Sequence, residues 1–282
     1  MDQANSSHLF NPPIPAFVTA LLVTHDGEYW LPQVITSLMS QSRPFDRIIA
    51  IDTSSNDKSR TMLKNAKIDY IQLDRGSGFG EALNEALKHL TINNEGKEEF
   101  LWILHDDFAP HREALENLLS EIERDPLIAA TGPKLRSWYK TDHLLEVGVS
   151  IAANGARWTA LEKDEIDQGQ RDDQIEVLAV STAGALIRRS VFEELEGFDP
   201  YLALFRDDVD FGWRARRLGY RITVAPLAWG LHAEAGASER REIDVDESFL
   251  HRPLLLDRKN AAYVLLVNAP WWALPWIVLQ LA

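Results

Sequence analysis

Apolar and polar positions fall in blocks along the first half of the chain, and the period changes from block to block. Ala16 to Thr24 (AFVTALLVT) is nearly continuous in apolar character and predicts a buried strand. Glu28 to Ser40 then carries apolar residues at helical spacing. The exchange repeats. Arg47 to Asp52 predicts a strand and Asp57 to Ala66 a helix; Ile68 to Leu73 a strand and Gly80 to Leu90 a helix; Phe100 to Leu104 a strand and Glu113 to Arg124 a helix. Continuous apolar strands between helices imply an α/β domain with a mostly parallel central sheet, flanked by helices on both faces. Ligands of such sheets bind beyond the C-terminal strand ends. The polar clusters Thr24-His25-Asp26, Asp52 to Asp57, Gly76-Ser77-Gly78-Phe79-Gly80 and His105-Asp106-Asp107 all follow predicted strands, so they are expected to form one site.

Each cluster carries chemistry and a plainer alternative. Adjacent Asp106 and Asp107 repel each other at the end of a buried strand, and a divalent cation offsets such charge. The alternative is an N-cap by Asp107 ahead of Pro110. The glycine run brings backbone N–H groups near a phosphate at a helix start, or is a tight turn. Its G-x-G-x-G spacing is not that of the dinucleotide fingerprint. In the second half, Gly197-Phe198-Asp199 precedes Arg206-Asp207-Asp208-Val209-Asp210-Phe211-Gly212-Trp213-Arg214. Asp208 and Asp210 form a literal D-x-D and rival Asp106 and Asp107 as metal ligands. Like-charge repulsion from Asp207 and Asp210 is expected to raise the pKa of Asp208. Trp138, Trp158 and Trp213 offer flat apolar faces to sugars, or simply pack.

Composition narrows the partners. The net charge of −14 over 282 residues excludes a general nucleic-acid binder, which needs clustered Lys and Arg. Cysteine is absent, so thiolate metal sites and disulfides are excluded, in keeping with a reducing compartment. The N-terminus shows no basic region followed by an apolar core, so no signal peptide is expected. Arg258 and Lys259 are the last charges; the segment from Asn260 to Ala282 holds Tyr263, Trp271, Trp272 and Trp276, interrupted by Pro270 and Pro275. It reaches the ~20 residues of a membrane span, but the prolines and tryptophans fit an interfacial or re-entrant helix at least as well. A buried C-terminal helix is the alternative. Because the apolar pattern runs to the last residue, a longer membrane-attached chain is expected, acting at the cytoplasmic face of the plasma membrane.

In their order these motifs resemble family 2 glycosyltransferases, inverting enzymes of the GT-A fold that use nucleotide sugars. The resemblance runs from about Ala16 to Ser238, with a weaker match through Arg258-Lys259-Asn260. Thr24-His25-Asp26 stands at the family's Thr-Tyr-Asn. Asp52, with Ser55 and Asp57, stands at its Asp-Asp-Gly-Ser-x-Asp, whose first Asp holds the nucleobase. Gly78-Phe79-Gly80 with Asn84 matches its Gly-Phe-…-Asn helix start, and His105-Asp106-Asp107 its Asp-x-Asp metal motif. Asp207-Asp208 falls on the Glu-Asp pair whose second member is the catalytic base, and His232 on the histidine that closes the nucleotide site.

The resemblance therefore implies a nucleotide-binding set of Thr24, His25, Asp26, Asp52, Gly78, Asn84 and Asp106, with Asp107 and His232 holding Mg²⁺ or Mn²⁺. It implies Asp208 as the base, supported on the acceptor side by Asp207, Asp210, Trp213 and Arg214. His105 replaces the motif's first Asp, so the two-carboxylate arrangement is incomplete; one carboxylate suffices when phosphate oxygens and waters complete the shell. The implied architecture is an N-terminal extension (1–15), a single Rossmann-like GT-A domain (16–250) and a membrane-proximal, amphipathic helical segment (251–282). The domain divides into a nucleotide-sugar half (16–134) and an acceptor half (135–250), with Ala233 to Asp246 as a mobile lid. The implied reaction is a single displacement from a nucleotide-sugar donor, UDP- or dTDP-linked, onto a glycan or lipid-linked acceptor in cell-envelope polysaccharide assembly. The nearest subclass is the bacterial rhamnosyltransferases. A sugar nucleotidyltransferase and a non-catalytic glycan-binding domain remain as alternatives, the former lacking its basic glycine-rich loop near the first strand.

Overall fold

The computed structural model describes residues 15–92, 96–173, 176–236 and 253–281. The expected N-terminal extension, apart from Pro15, lies outside the described residues, as do lid positions 237–246. The first half follows the predicted alternation: β1 (Ala16–Thr24), α1 (Leu31–Met39), β2 (Arg47–Asp52), α2 (Ser59–Asn65), β3 (Tyr70–Gln72), α3 (Phe79–Lys88) and β4 (Glu98–His105). Then come β5 (Phe108–Pro110), α4 (Ala114–Ile122), β6 (Ile128–Ser137), β7 (Leu144–Glu146), β8 (Ser150–Ile151), β9 (Arg157–Trp158), β10 (Glu176–Val177) and β11 (Leu186–Arg188). The chain continues through α5 (Arg189–Glu194), α6 (Asp207–Arg217), β12 (Arg221–His232), α7 (Pro253–Asn268), a 3₁₀ turn (Trp271–Ala273) and α8 (Leu274–Leu281).

The main sheet runs β10-β12-β6-β11-β4-β1-β2-β3. Strands β3, β2, β1 and β4 are parallel, as their continuous apolar character predicts. β11 enters antiparallel between β4 and β6, which makes the whole sheet mixed. A run as short as Leu186-Ile187-Arg188 carries no directional signal of its own.

β1 shows why both faces are covered. Val18, Ala20 and Leu22 pack with Leu31, Val34 and Leu38 of α1 and with Leu115 and Leu118 of α4. Leu21 and Val23, pointing the other way, pack with Ala82, Leu83 and Ala86 of α3 and Phe211 of α6. Each buried leucine of this kind contributes about 1.5–3 kcal/mol.

Two adjacent arginines bind opposite layers to the sheet. Arg188 donates to the carbonyls of Ile122, at the C-terminus of α4, and Ile128. Arg189 donates to Leu90 O just beyond α3 and to Glu99. Cations at helix C-termini oppose the negative end of the dipole.

α7 is part of the same body. Val264 joins a cluster with Val149, Leu202 and Val209, while Asn268 Nδ2 donates to Asp210 Oδ1 at 2.8 Å. α8 is different. Trp271, Trp272 and Trp276 are 82%, 65% and 69% exposed, against a core of fully buried aromatics elsewhere. Among the described residues no helix is long and apolar enough to cross a membrane.

Candidate active site

The C-terminal ends of β1, β2 and β4 meet the end of β12 and the start of α6 around a cavity of about 460 Å³. On the β1–β2 side, the polar strand ends brace one another. Fully buried Asp52 accepts hydrogen bonds from Thr24 Oγ1 (3.0 Å) and from the amide (3.1 Å) and hydroxyl (2.5 Å) of Ser55. Asp26, in the left-handed region at φ 49°, accepts from the Asn56 amide at 2.6 Å and from Arg75 at 2.5 Å. Burial works against its charge, but Arg75 and the amide hold its carboxyl below the usual range. The residues that reach the cavity from this side are Val23, His25, Thr53, Ser77 and Phe79, with His25 Nδ1 2.7 Å from Thr53 Oγ1.

Asp106 lies almost wholly buried at the cavity wall, accepting from the His25 amide at 2.8 Å. A Cβ on Gly27 would stand 2.3 Å from that same carboxylate oxygen, so glycine is required there. Gly78 and Asn84 do not line the cavity. A Cβ on Gly78 would stand 2.5 Å from Ala203 O, and Asn84 exchanges two hydrogen bonds with the Phe198 backbone. Both join α3 to the segment leading to the acidic helix.

A metal-ligating group forms where β4 and β12 end. His105, Asp107 and His232 each offer a ligand atom, all within 4.8 Å of one another. Pairing of β12 with β5 sets His232 opposite Phe108 and so beside Asp107, with Nε2 3.3 Å from Oδ1. Asp107 Oδ2 accepts the Ala235 amide at 2.8 Å, so the first residues of the expected lid are fastened to it. His105 Nε2 lies 3.0 Å from Thr182 Oγ1, a contact that orients the ring, and its Nδ1 lies 3.9 Å from Asp107. Among the described residues, buried His232 Nδ1 has no hydrogen-bond partner. Burial disfavours the charged imidazole of His232, yet the Asp107 carboxylate raises its pKa. Two imidazoles and a buried carboxylate fit a divalent transition metal. His105, counted from the motif as a lost carboxylate, thus joins the group. The rival pair does not converge: Asp208 pairs with Arg157, while Asp210 pairs with Arg214 (2.7 Å) and Asn268.

Facing this group is the first turn of α6. Phe205 and Arg206 precede it in the left-handed region at φ 65° and 70°, a conformation that costs about 1–3 kcal/mol per non-glycine residue. The loop is held by α7, because Asn260 donates to Leu204 O at 2.7 Å and Arg206 pairs with Asp257. Asp207 and Asp208 line the cavity behind it. Burial, and then the neighbouring charge of Asp208, push Asp207 from its usual 3.8 to about 7. Asp208 is gripped by Arg157, which also reaches Glu146. Burial opposes the Arg157 charge, and the two carboxylates overcome it, raising its pKa further.

Asp210, Trp213 and Arg214 stand outside the cavity. Arg214 donates to the carbonyls of Leu195 and Gly197, and Trp213 packs against the cluster formed by Val149, Ala179 and Val264. The cavity therefore unites His25, Asp106, Asp107, His232, Asp207 and Asp208, and leaves Thr24, Asp26, Asp52, Gly78 and Asn84 in its supports. It also includes Arg206, which opens the acidic motif, and Glu146, Arg157 and Asp257, which the sequence motifs do not mark.

The ends of β4 and β12 thus bring a His/Asp/His group and the pair of acids at the start of α6 to one cavity. A sequence model described as Glycosyl transferase family 2 matches residues 19–196, more than half of the chain. The chain belongs to glycosyltransferase family 2. It is similar to the N-acetylglucosaminyl-diphospho-decaprenol L-rhamnosyltransferase of Mycobacterium tuberculosis, at 22% identity over 276 residues, covering 90% of this chain and 85% of that protein. It is also similar to the probable glycosyltransferase YdaM of Bacillus subtilis, at 24% identity over 221 residues and 75% of this chain; the match spans about half (49%) of YdaM. The fold is shared with the crystal structure of GalNAc-T7 with UDP, GalNAc and Mn²⁺, at a TM-score of 0.62 and 15% identity over 79% of this chain and 44% of that one.

Proposed function

We propose that this chain is an inverting glycosyltransferase that moves a sugar from a nucleoside diphosphate donor, UDP- or dTDP-linked, to a hydroxyl of a glycan or lipid-linked acceptor. One observation carries the reading: the His105/Asp107/His232 group and the Asp207-Asp208 pair line the same cavity. A donor lying between them would present its diphosphate to the first and its anomeric carbon to the second. His25 and Thr53 would contact the nucleoside end. Asp208 would take the proton from the acceptor hydroxyl as it attacks. A divalent ion held by His105, Asp107 and His232 would stabilise the charge of the departing diphosphate. The imidazole-rich donor set favours Mn²⁺ over Mg²⁺, which prefers oxygen ligands.

The relative from M. tuberculosis supports L-rhamnose as the sugar and a polyprenyl diphosphate glycan as the acceptor, in cell-envelope polysaccharide assembly. The exposed Trp271, Trp272 and Trp276 suit the headgroup layer of a membrane, and a lipid-linked acceptor would be met there, at the cytoplasmic face of the plasma membrane. The test is product identity. With Mn²⁺, a nucleotide sugar and a lipid-linked glycan, nucleoside diphosphate should appear only when acceptor is present. Release of pyrophosphate would instead indicate a nucleotidyltransferase, and no turnover with any donor would indicate a binding domain.

A further inference from the structure

Arg157 sits on the short β8–β9 hairpin, far in sequence from α6, yet it meets Asp208 with both prongs. Nη2 lies 2.6 Å from Oδ2 and Nη1 lies 3.3 Å from Oδ1. The Val209 amide adds a third donor to Oδ1 at 2.8 Å. A carboxylate has about four acceptor positions, two on each oxygen. Among the described residues, three of the four are taken, and the remaining one is on Oδ2. Asp208 lines the cavity, so that position is the one left for a substrate hydroxyl.

Arg157 is itself fixed. The second N–H of Nη2 reaches Glu146 Oε2 at 2.8 Å, and Glu146 Oε1 accepts the Ser181 amide at 3.1 Å. A chain of contacts thus runs from the backbone before β11, through Glu146 and Arg157, to Asp208. A planar fork bound on both sides has little rotational freedom, which a lysine ammonium would keep. From this arrangement we infer that Arg157, anchored by Glu146, is a positioning residue that aims a single lone pair of Asp208 Oδ2 at the acceptor hydroxyl. The inference rests on the reading of Asp208 as the base.

The test is a double-mutant cycle on the full chain with donor, acceptor and Mn²⁺. Arg157→Gln should lower kcat about 10–100-fold, the scale of a reacting group misplaced by an ångström. Donor affinity by calorimetry and acceptor KM should change less than about twofold, since Arg157 is spent on protein carboxylates. Arg157→Lys should recover part of the loss. In an Asp208→Asn background, Arg157→Gln should cost almost nothing more. Glu146→Gln should show a smaller loss in kcat, and it carries the test if Arg157→Gln melts at the assay temperature.

Full activity of Arg157→Gln beside an inactive Asp208→Asn would overturn the positioning role alone. Independent, multiplicative losses in the double variant, or a loss seen mainly in KM, would mean that Arg157 contacts substrate by itself, which also overturns it. Near-full transfer by Asp208→Asn would instead remove the base reading on which the inference stands.

Discussion

Arg206 and Asp257 form a two-pronged ion pair, Nε to Oδ1 at 2.6 Å and Nη2 to Oδ2 at 2.8 Å, that joins the loop before α6 to α7. The pair holds the chain where two consecutive residues adopt left-handed backbone. Among the described residues, Asp257→Ala leaves the buried Arg206 guanidinium with its bond to Gly155 O alone. A loss of about 3 kcal/mol in stability is expected when a buried charge loses its partner. Transfer should fall more than donor binding, because the loop presents Asp207 and Asp208. Thermal melts and initial rates on the same preparation check this; unchanged rates would separate α7 from the site.

The metal group makes a second prediction. Asp107→Ala and His105→Ala should each remove the metal dependence of nucleoside diphosphate binding, measured by calorimetry with and without Mn²⁺. Both residues lie at strand ends, so the core should survive. Mn²⁺ should support tighter nucleotide binding than Mg²⁺. Unchanged metal dependence in Asp107→Ala would return Asp208 and Asp210 as candidate ligands.

Asp207 gives stability a pH dependence with a defined sign. Its carboxyl is held near 7 in the folded chain against 3.8 ordinarily. Between those values the folded state keeps a proton that the unfolded chain has lost, so this contribution is full below pH ~4 and disappears as pH rises through ~7. The wild type should therefore lose stability relative to Asp207→Asn between pH 5 and 8, by no more than about 1.4 kcal/mol per pH unit. Urea midpoints of the two proteins across that range test it. A constant difference would mean that Asp207 does not titrate there.

The exposed aromatics predict lipid binding without a role in folding. Replacing Trp271, Trp272 and Trp276 together by Ser should lower sedimentation with phospholipid vesicles and leave the melting temperature nearly unchanged, because all three are exposed. A large fall in melting temperature with unaltered vesicle binding would assign them to packing.

Much of the fold was legible because β1, β4 and the second half of β2 are buried and so read as apolar runs. β11 escaped because three buried residues carry neither a period nor a direction. The strand-end clusters were legible as a site, but their members divided in a way that sequence could not show. Asp52 and Asn84 spend their polar atoms on the protein itself, and a motif does not separate a brace from a ligand contact. His105 was counted as a missing acid because the pattern counts carboxylates, although imidazole is equally a ligand. Arg157 and Glu146 gave no signal, since two- and three-residue strands bring them to α6 from a distance in sequence. The pKa rise expected of Asp208 is found instead on its neighbour Asp207, where burial is the larger cause and the charge of Asp208 the second.

The central claim is that Asp208 accepts the proton in sugar transfer. Asn at this position keeps the shape and one acceptor oxygen but does not take a proton. Rates of nucleoside diphosphate release at saturating donor, Mn²⁺ and acceptor, set beside donor affinity by calorimetry, measure this directly. Asp208→Asn should bind donor and metal as the wild type does, and lose about 10²–10⁴-fold in turnover. Turnover near that of the wild type, or a defect confined to donor affinity, would contradict the account, and the second result would put Asp208 with the metal ligands.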